Sequence, residues 1–110
     1  MQCWPCPPEQ RTRALRINTE VVWARAMLGL GRCDELGPAM AALTALSSTL
    51  YPGAPRRLMV WAVRTRWLAL QQRAAEAREA LAITEAGFAL QPLSAHYRQL
   101  LDEARAALQG

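Results

Sequence analysis

The 110-residue chain reads as an all-α protein: about five antiparallel helices stacked as helical hairpins, the last of them a cap. Three observations carry that expectation. Alanine and leucine, 21 and 16 residues, far outnumber one Phe and two Tyr, which favours helix over sheet. Apolar residues recur at three-to-four spacing in five stretches, and none alternates as a half-buried strand would. Glycine and proline fall between those stretches, where helices must end.

The first helix is expected from about Arg11 to Leu30, with Ile17, Val21, Ala24 and Leu28 in one stripe. Trp23, Met27 and Leu30 form a second stripe, and such a wide arc suits packing on two sides. Gly29-Leu30-Gly31 closes the helix, because glycine tolerates the left-handed cap. The second helix spans roughly Leu36 to Leu50, with Pro38 in its first turn, where a missing N–H costs little. Tyr51-Pro52-Gly53-Ala54-Pro55 is the clearest break. The third helix follows from about Arg56 to Arg73 and carries Trp61 and Trp67, and the fourth runs from about Ala75 to Leu90. Pro92 ends it, and Leu93-Ser94 opens a fifth with Tyr97, Leu100, Leu101, Ala104 and Leu108. Short connections between such helices make sequential neighbours antiparallel.

The length fits one domain, residues 11–110, behind a flexible tail of residues 1–10. All 13 basic side chains are arginine, so chemistry that needs a lysine (a P-loop, a Schiff base) is excluded. A single histidine, His96, cannot supply a paired-histidine metal site. Cys3 and Cys6 form a C-x-x-C, but nothing precedes the pair and Pro7-Pro8 follow it. Redox and zinc chemistry are therefore not expected, and neither is any cofactor. Cys33 has no base at recognisable spacing, and His96 no catalytic neighbour, so the chain is not expected to be an enzyme. No uninterrupted apolar run reaches a membrane span, and no secretory leader is apparent. A cytoplasmic location is the expectation.

Two helix-pair units can be laid over one another. Trp23-Ala24, Gly31-Arg32 and Asp34-Glu35-Leu36 lead to Tyr51-Pro52 in the first. Trp67-Leu68-Ala69, Arg73 and Glu79-Ala80-Leu81 lead to Leu90-Gln91-Pro92 in the second. Glu79-Ala80 followed by Phe88, Leu90 and Pro92 resembles the tetratricopeptide repeat, and Leu28–Glu35 looks like the turn of an earlier one. Aligning Glu35 with Glu79 puts the units 44 residues apart, longer than the roughly 34 of the consensus. Long, Ala/Leu/Arg-rich repeats of this kind are similar to the sensor regions of MalT-like, LuxR-class bacterial regulators. The resemblance implies stacked hairpins with a concave face that binds another protein.

Charge points to the third helix. Residues 56–73 hold five arginines (Arg56, Arg57, Arg64, Arg66, Arg73) and no acid, although the whole chain is only +4. Arg57, Trp61 and Arg64 share a side with Leu68, whereas Arg66 and Arg73 point elsewhere. The expected partner surface is therefore Arg57 and Arg64 holding carboxylates beside Trp61, with Arg25 and Asn18 of the first helix facing the same groove. The competing expectation is that Trp61 and Trp67 are core and the arginines are solvated or paired with Glu76, Glu79 and Glu85 of the fourth helix. The expected partner is a protein or peptide, acidic in character; a homodimer or heterodimer fits so short a stack. Two alternatives stand beside it: a small secretion-type chaperone for a hydrophobic partner, and nucleic-acid binding. Scattered arginines and a low total charge disfavour nucleic acid.

Overall fold

The computed structural model describes residues 8–109, with side chains from Leu15 onward. It has five α-helices: α1 (Pro8–Gly29), α2 (Gly37–Ser47), α3 (Pro55–Leu70), α4 (Ala74–Phe88) and α5 (Ala95–Gln109). A 3-10 turn, Cys33–Leu36, precedes α2, and the described residues contain no strand. The all-α class is as the sequence predicts. The boundaries move by a few residues, each for a local reason.

α1 begins at Pro8 rather than Arg11, so residues 8–10 of the expected tail are helical. Proline fits a first helical turn, where its missing N–H is no loss. The rest of that tail, including Cys3 and Cys6, lies outside the described residues. α2 stops at Ser47, three residues before Leu50. The hydroxyls of Ser47, Ser48 and Thr49 donate to the carbonyls of Thr44, Ala45 and Leu46 at 2.7–2.8 Å. Consecutive side chains competing for backbone acceptors weaken a helix end. Pro38 sits in the first turn of α2, and Pro55 in that of α3.

α3 is the hub. It packs against α1, α2, α4 and α5, while α1 also touches α2 and α4 touches α5. Half of its residues are buried, among them Leu58, Val60, Val63, Trp67 and Leu68. The main core joins Val60, Val63, Trp67 and Leu68 to Ile17, Val21, Ala24 and Leu28 of α1, Met40 and Leu43 of α2, Ala77 and Ala80 of α4, and Leu100 and Ala104 of α5. A smaller cluster of Leu58, Phe88 and Leu101 closes the α3–α4–α5 end. The first stripe predicted for α1 is thus core. The second is not: Met27 is half-buried, while Trp23 is 44% and Leu30 70% exposed.

The turns that end α1 and α3 share one backbone geometry. After α1, Gly31 takes φ 76°, and after α3, Gln72 takes φ 66°. In the first turn Arg32 N–H donates to Met27 O at 3.0 Å, and in the second Arg73 N–H donates to Leu68 O at the same distance. Both are left-handed helix-ending turns of one type. Arg32 and Arg73 then match in φ/ψ (−96°/50° and −100°/61°). The two turns lie 41 residues apart (31 to 72), against the 44 between Glu35 and Glu79. At the 41-residue spacing Arg16 corresponds to Arg57, Arg25 to Arg66 and Arg32 to Arg73. Aligned on these turns, Glu35 falls against Glu76, and both Arg32–Glu35 and Arg73–Glu76 are ion pairs three residues apart.

Candidate functional site

Charge converges between α1, α3 and α5. Arg25 of α1 and Arg66 of α3 both reach one carboxylate, Glu103 of α5. Arg25 engages it with two donors, Nη2 to Oε2 at 2.9 Å and Nε to Oε1 at 3.3 Å. Arg66 Nη1 lies 3.6 Å from Oε1, and Gln99 Nε2 donates to Oε2 at 3.4 Å. Side-chain exposures of 23%, 25% and 28% for Arg25, Arg66 and Glu103 leave the cluster open to a ligand. Two guanidiniums against one carboxylate leave an excess positive charge.

That charge borders a groove of about 410 Å³ lined by Leu28, Gly29, Arg66, Leu70, Glu103 and Ala106, among others. Leu70 is 46% exposed and adds an apolar surface beside the charges. Asn18, half-buried, lies two turns before Arg25 on the same side of α1. The arrangement suits a partner segment with an apolar side chain for Leu70 and a carboxylate for the arginines. Planar guanidinium forks hold carboxylates bidentately, as Arg25 already holds Glu103.

Arg57, Trp61 and Arg64 come together, as their spacing predicts, but on the opposite side of α3. Arg66 stands two residues from Arg64, about 200° around the helix. Arg57 Nη1 donates to the Leu50 carbonyl at 2.9 Å and ties the α2–α3 connection to α3. Arg64 Nη1 donates to Thr44 Oγ1 on α2 at 3.3 Å, and that hydroxyl donates onward to Met40 O at 2.7 Å. The Arg64 guanidinium also lies 5.6 Å from the Trp61 ring and 5.9 Å from that of Trp67, within cation–π range. Trp61 is half-buried against the core, and Trp67 is buried with its indole N–H donating to Cys33 O at 3.1 Å.

One expectation is corrected here. Arg25 and Asn18 do not share a groove with Arg57 and Arg64, because α3 stands between the two sides. Arg57, Arg64 and Arg66 pair with no α4 acid among the described ion pairs. Of the expected pairs between the arginines of residues 56–73 and the α4 acids, one forms: Arg73 with Glu76 at 2.7 Å, at the α3–α4 turn. That hydrogen bond, aided by charge attraction, lowers the Glu76 carboxyl from its ordinary value and raises the Arg73 guanidinium. Glu85 pairs with Arg105 of α5 at 2.7 Å.

Arg66 and Glu103 are the two residues that helix-by-helix periodicity misses. The 41-residue spacing of Arg25 and Arg66 was the available signal, hidden by aligning glutamates 44 residues apart. His96 is exposed, 5.7 Å from the Tyr97 ring, and Cys33 is half-buried with a free thiol. Among the described residues, no group of three or more His, Cys, Asp or Glu side chains could hold a metal ion. No described helix is long and apolar enough to cross a membrane.

No known family, curated protein or solved structure matches the chain.

Proposed function

We propose that this chain is a non-enzymatic protein–protein interaction module of tetratricopeptide-like build, which holds an acidic peptide or helix of a partner between α1, α3 and α5. The observation that carries the proposal is the meeting of Arg25 and Arg66 on the single carboxylate Glu103, beside a groove with an exposed leucine. Repeated positions on α1 and α3 turn like side chains toward the same surface, as a concave face built from repeats requires. The matched turns at Gly31 and Gln72 support the repeat reading. A 41-residue unit fits the longer, degenerate repeats of MalT-like sensors better than the consensus length of about 34. Glu103 would occupy the carboxylate site in the free protein and yield it to the partner.

A second location for the same function rests on Arg57, Trp61 and Arg64, whose guanidiniums meet neutral oxygens rather than carboxylates. One experiment separates the two faces. Labelled acidic peptides, presented as helices and as extended chains, are titrated by fluorescence polarisation against two double variants. Loss of binding in Arg25→Gln/Arg66→Gln alone assigns the groove. Loss in Arg57→Gln/Arg64→Gln alone moves the site to the α2 side. Binding unaffected by either, with helical circular dichroism intact, overturns the proposal. A nucleic acid in place of the peptide tests the competing class, whose affinity falls steeply with salt. Co-purification with a small hydrophobic partner would instead mark an escort of secretion-chaperone type.

A further inference from the structure

The two ends of the helix array are finished differently. The outer face of α5 carries Ala95, Arg98, Gln99, Asp102, Arg105 and Ala106, all exposed and mostly polar or charged. Such a surface ends a stack of helices against water. The outer face of α1 carries Leu15, Thr19, Val22, Trp23, Ala26 and Leu30, also exposed. At 100° per residue these six fall within an arc of about 100°, directly away from the buried Ile17, Val21, Ala24 and Leu28. Leu15, Val22 and Leu30 are 66%, 63% and 70% exposed. This is a continuous apolar stripe about 22 Å long, the rise of 15 helical residues.

We infer that this stripe is the interface of a homodimer, in which α1 packs antiparallel on α1 of a second copy. The occupant is read from the order of the residues. Positions 15, 19, 22, 23, 26 and 30 are symmetric about their midpoint, between Val22 and Trp23. A two-fold axis at that point sets Leu15 against Leu30 of the second copy, Thr19 against Ala26, and the small Val22 against the large Trp23. An isologous interface requires this self-complementarity. A heterologous partner requires no symmetry of the stripe.

Charge and area agree with a like partner. Arg16 and Glu20, on one flank, neutralise each other at 3.1 Å, and Arg25, on the other, is held by Glu103. On the Arg16 flank, no uncompensated charge among the described residues opposes an identical surface. The four large side chains expose on the order of 500 Å² per copy, or about 1,000 Å² in a pair before the flanks are added, which reaches the lower bound of a specific interface. An antiparallel two-fold also places like flanks side by side. The Arg25 flanks, and with them the two α1–α3–α5 grooves, would open on the same side of the dimer. The dimer itself does not depend on what those grooves bind.

Sedimentation velocity of the full chain from 1 to 100 µM, alone and as Trp23→Glu and Val22→Glu, tests the interface, with circular dichroism confirming that these exposed changes leave the helices formed. The expected result is a concentration-dependent dimer for the unaltered chain and a monomer for both variants. Register is tested by a short thiol cross-linker in a background where Cys3, Cys6 and Cys33 are serine. A mixture of Leu15→Cys and Leu30→Cys chains should cross-link to each other at least tenfold faster than Leu15→Cys chains cross-link among themselves. A chain that stays monomeric to 100 µM, a dimer indifferent to Trp23→Glu, or preferential Leu15→Cys self-linking overturns the inference.

Discussion

Replacing Glu103 by glutamine should weaken the fold slightly and strengthen the binding of an acidic partner. The perturbation removes one charge and keeps the size and the carbonyl acceptor. Glu103 accepts two hydrogen bonds from Arg25 and lies within ion-pair distance of Arg66. In a buried site such a hub would be worth several kcal/mol. Here about a quarter of each side chain is exposed, so solvent screens the attraction and the net loss is about 1 kcal/mol. For a domain of this length, that lowers the melting temperature by about 5 °C. The same 1 kcal/mol reappears with opposite sign in binding, because an incoming carboxylate no longer displaces a resident one. An affinity gain of about fivefold follows.

Thermal unfolding by circular dichroism measures the first quantity, and fluorescence polarisation with the acidic peptide the second. Both are read at low and at 0.3 M salt, where the gain should shrink. Arg25→Gln is the necessary companion: it lowers stability by a similar amount but lowers affinity as well. Should Glu103→Gln destabilise the fold and leave affinity unchanged or reduced, the arginines act only as a brace from α1 to α5. The groove would then lose its role as a carboxylate site.

Three further outcomes are expected. Gly87→Ala should destabilise by about 1 kcal/mol in chemical denaturation: a Cβ there would fall 2.4 and 2.8 Å from the two methyls of buried Leu58, and overpacking outweighs the gain in helix propensity. Gln72→Gly should stabilise by about 0.5–1 kcal/mol in the same measurement, since it relieves the left-handed conformation that glycine occupies in the matching turn. Glu76→Gln should flatten the acid side of the stability profile. The carboxyl is lowered in the fold by the Arg73 hydrogen bond, so its contribution is present above the unfolded value and fades as pH falls through the folded one; an unchanged profile in urea titrations from pH 6 to 2.5 would refute that role.

The helices were legible because their signals are local. The apolar spacing of Ile17, Val21, Ala24 and Leu28 marks a buried face whatever packs on it, and Pro38 and Pro55 mark helix starts by their chemistry alone. The likeness of the two helix-ending turns was less legible, because it depends on backbone conformation. Gln72 adopts the left-handed turn that a glycine would have announced, so the match to Gly31 is silent in the sequence. The site suffered in turn. Arg57 and Arg64 share a helical face with Trp61, and periodicity groups them correctly, but it cannot say which side of α3 meets α2. Glu103, 78 positions from Arg25, belongs to the site only through tertiary contact.

The arginine-only composition has a physical counterpart in the uses α3 makes of its guanidiniums. Arg57 and Arg64 reach across to the α2 side, and Arg64 spreads its plane near two indoles while donating to Thr44. Arg66 extends the opposite way to a carboxylate already held bidentately by Arg25. An ammonium is a compact, strongly hydrated point charge, poorly suited to a place between aromatic faces or to a carboxylate shared with a second cation. The +5 of residues 56–73 is therefore not one basic patch but charge divided between two sides of a helix. Divided in this way it offers no continuous stripe for a phosphate backbone, and it leaves on the groove side only the excess that a single carboxylate would satisfy.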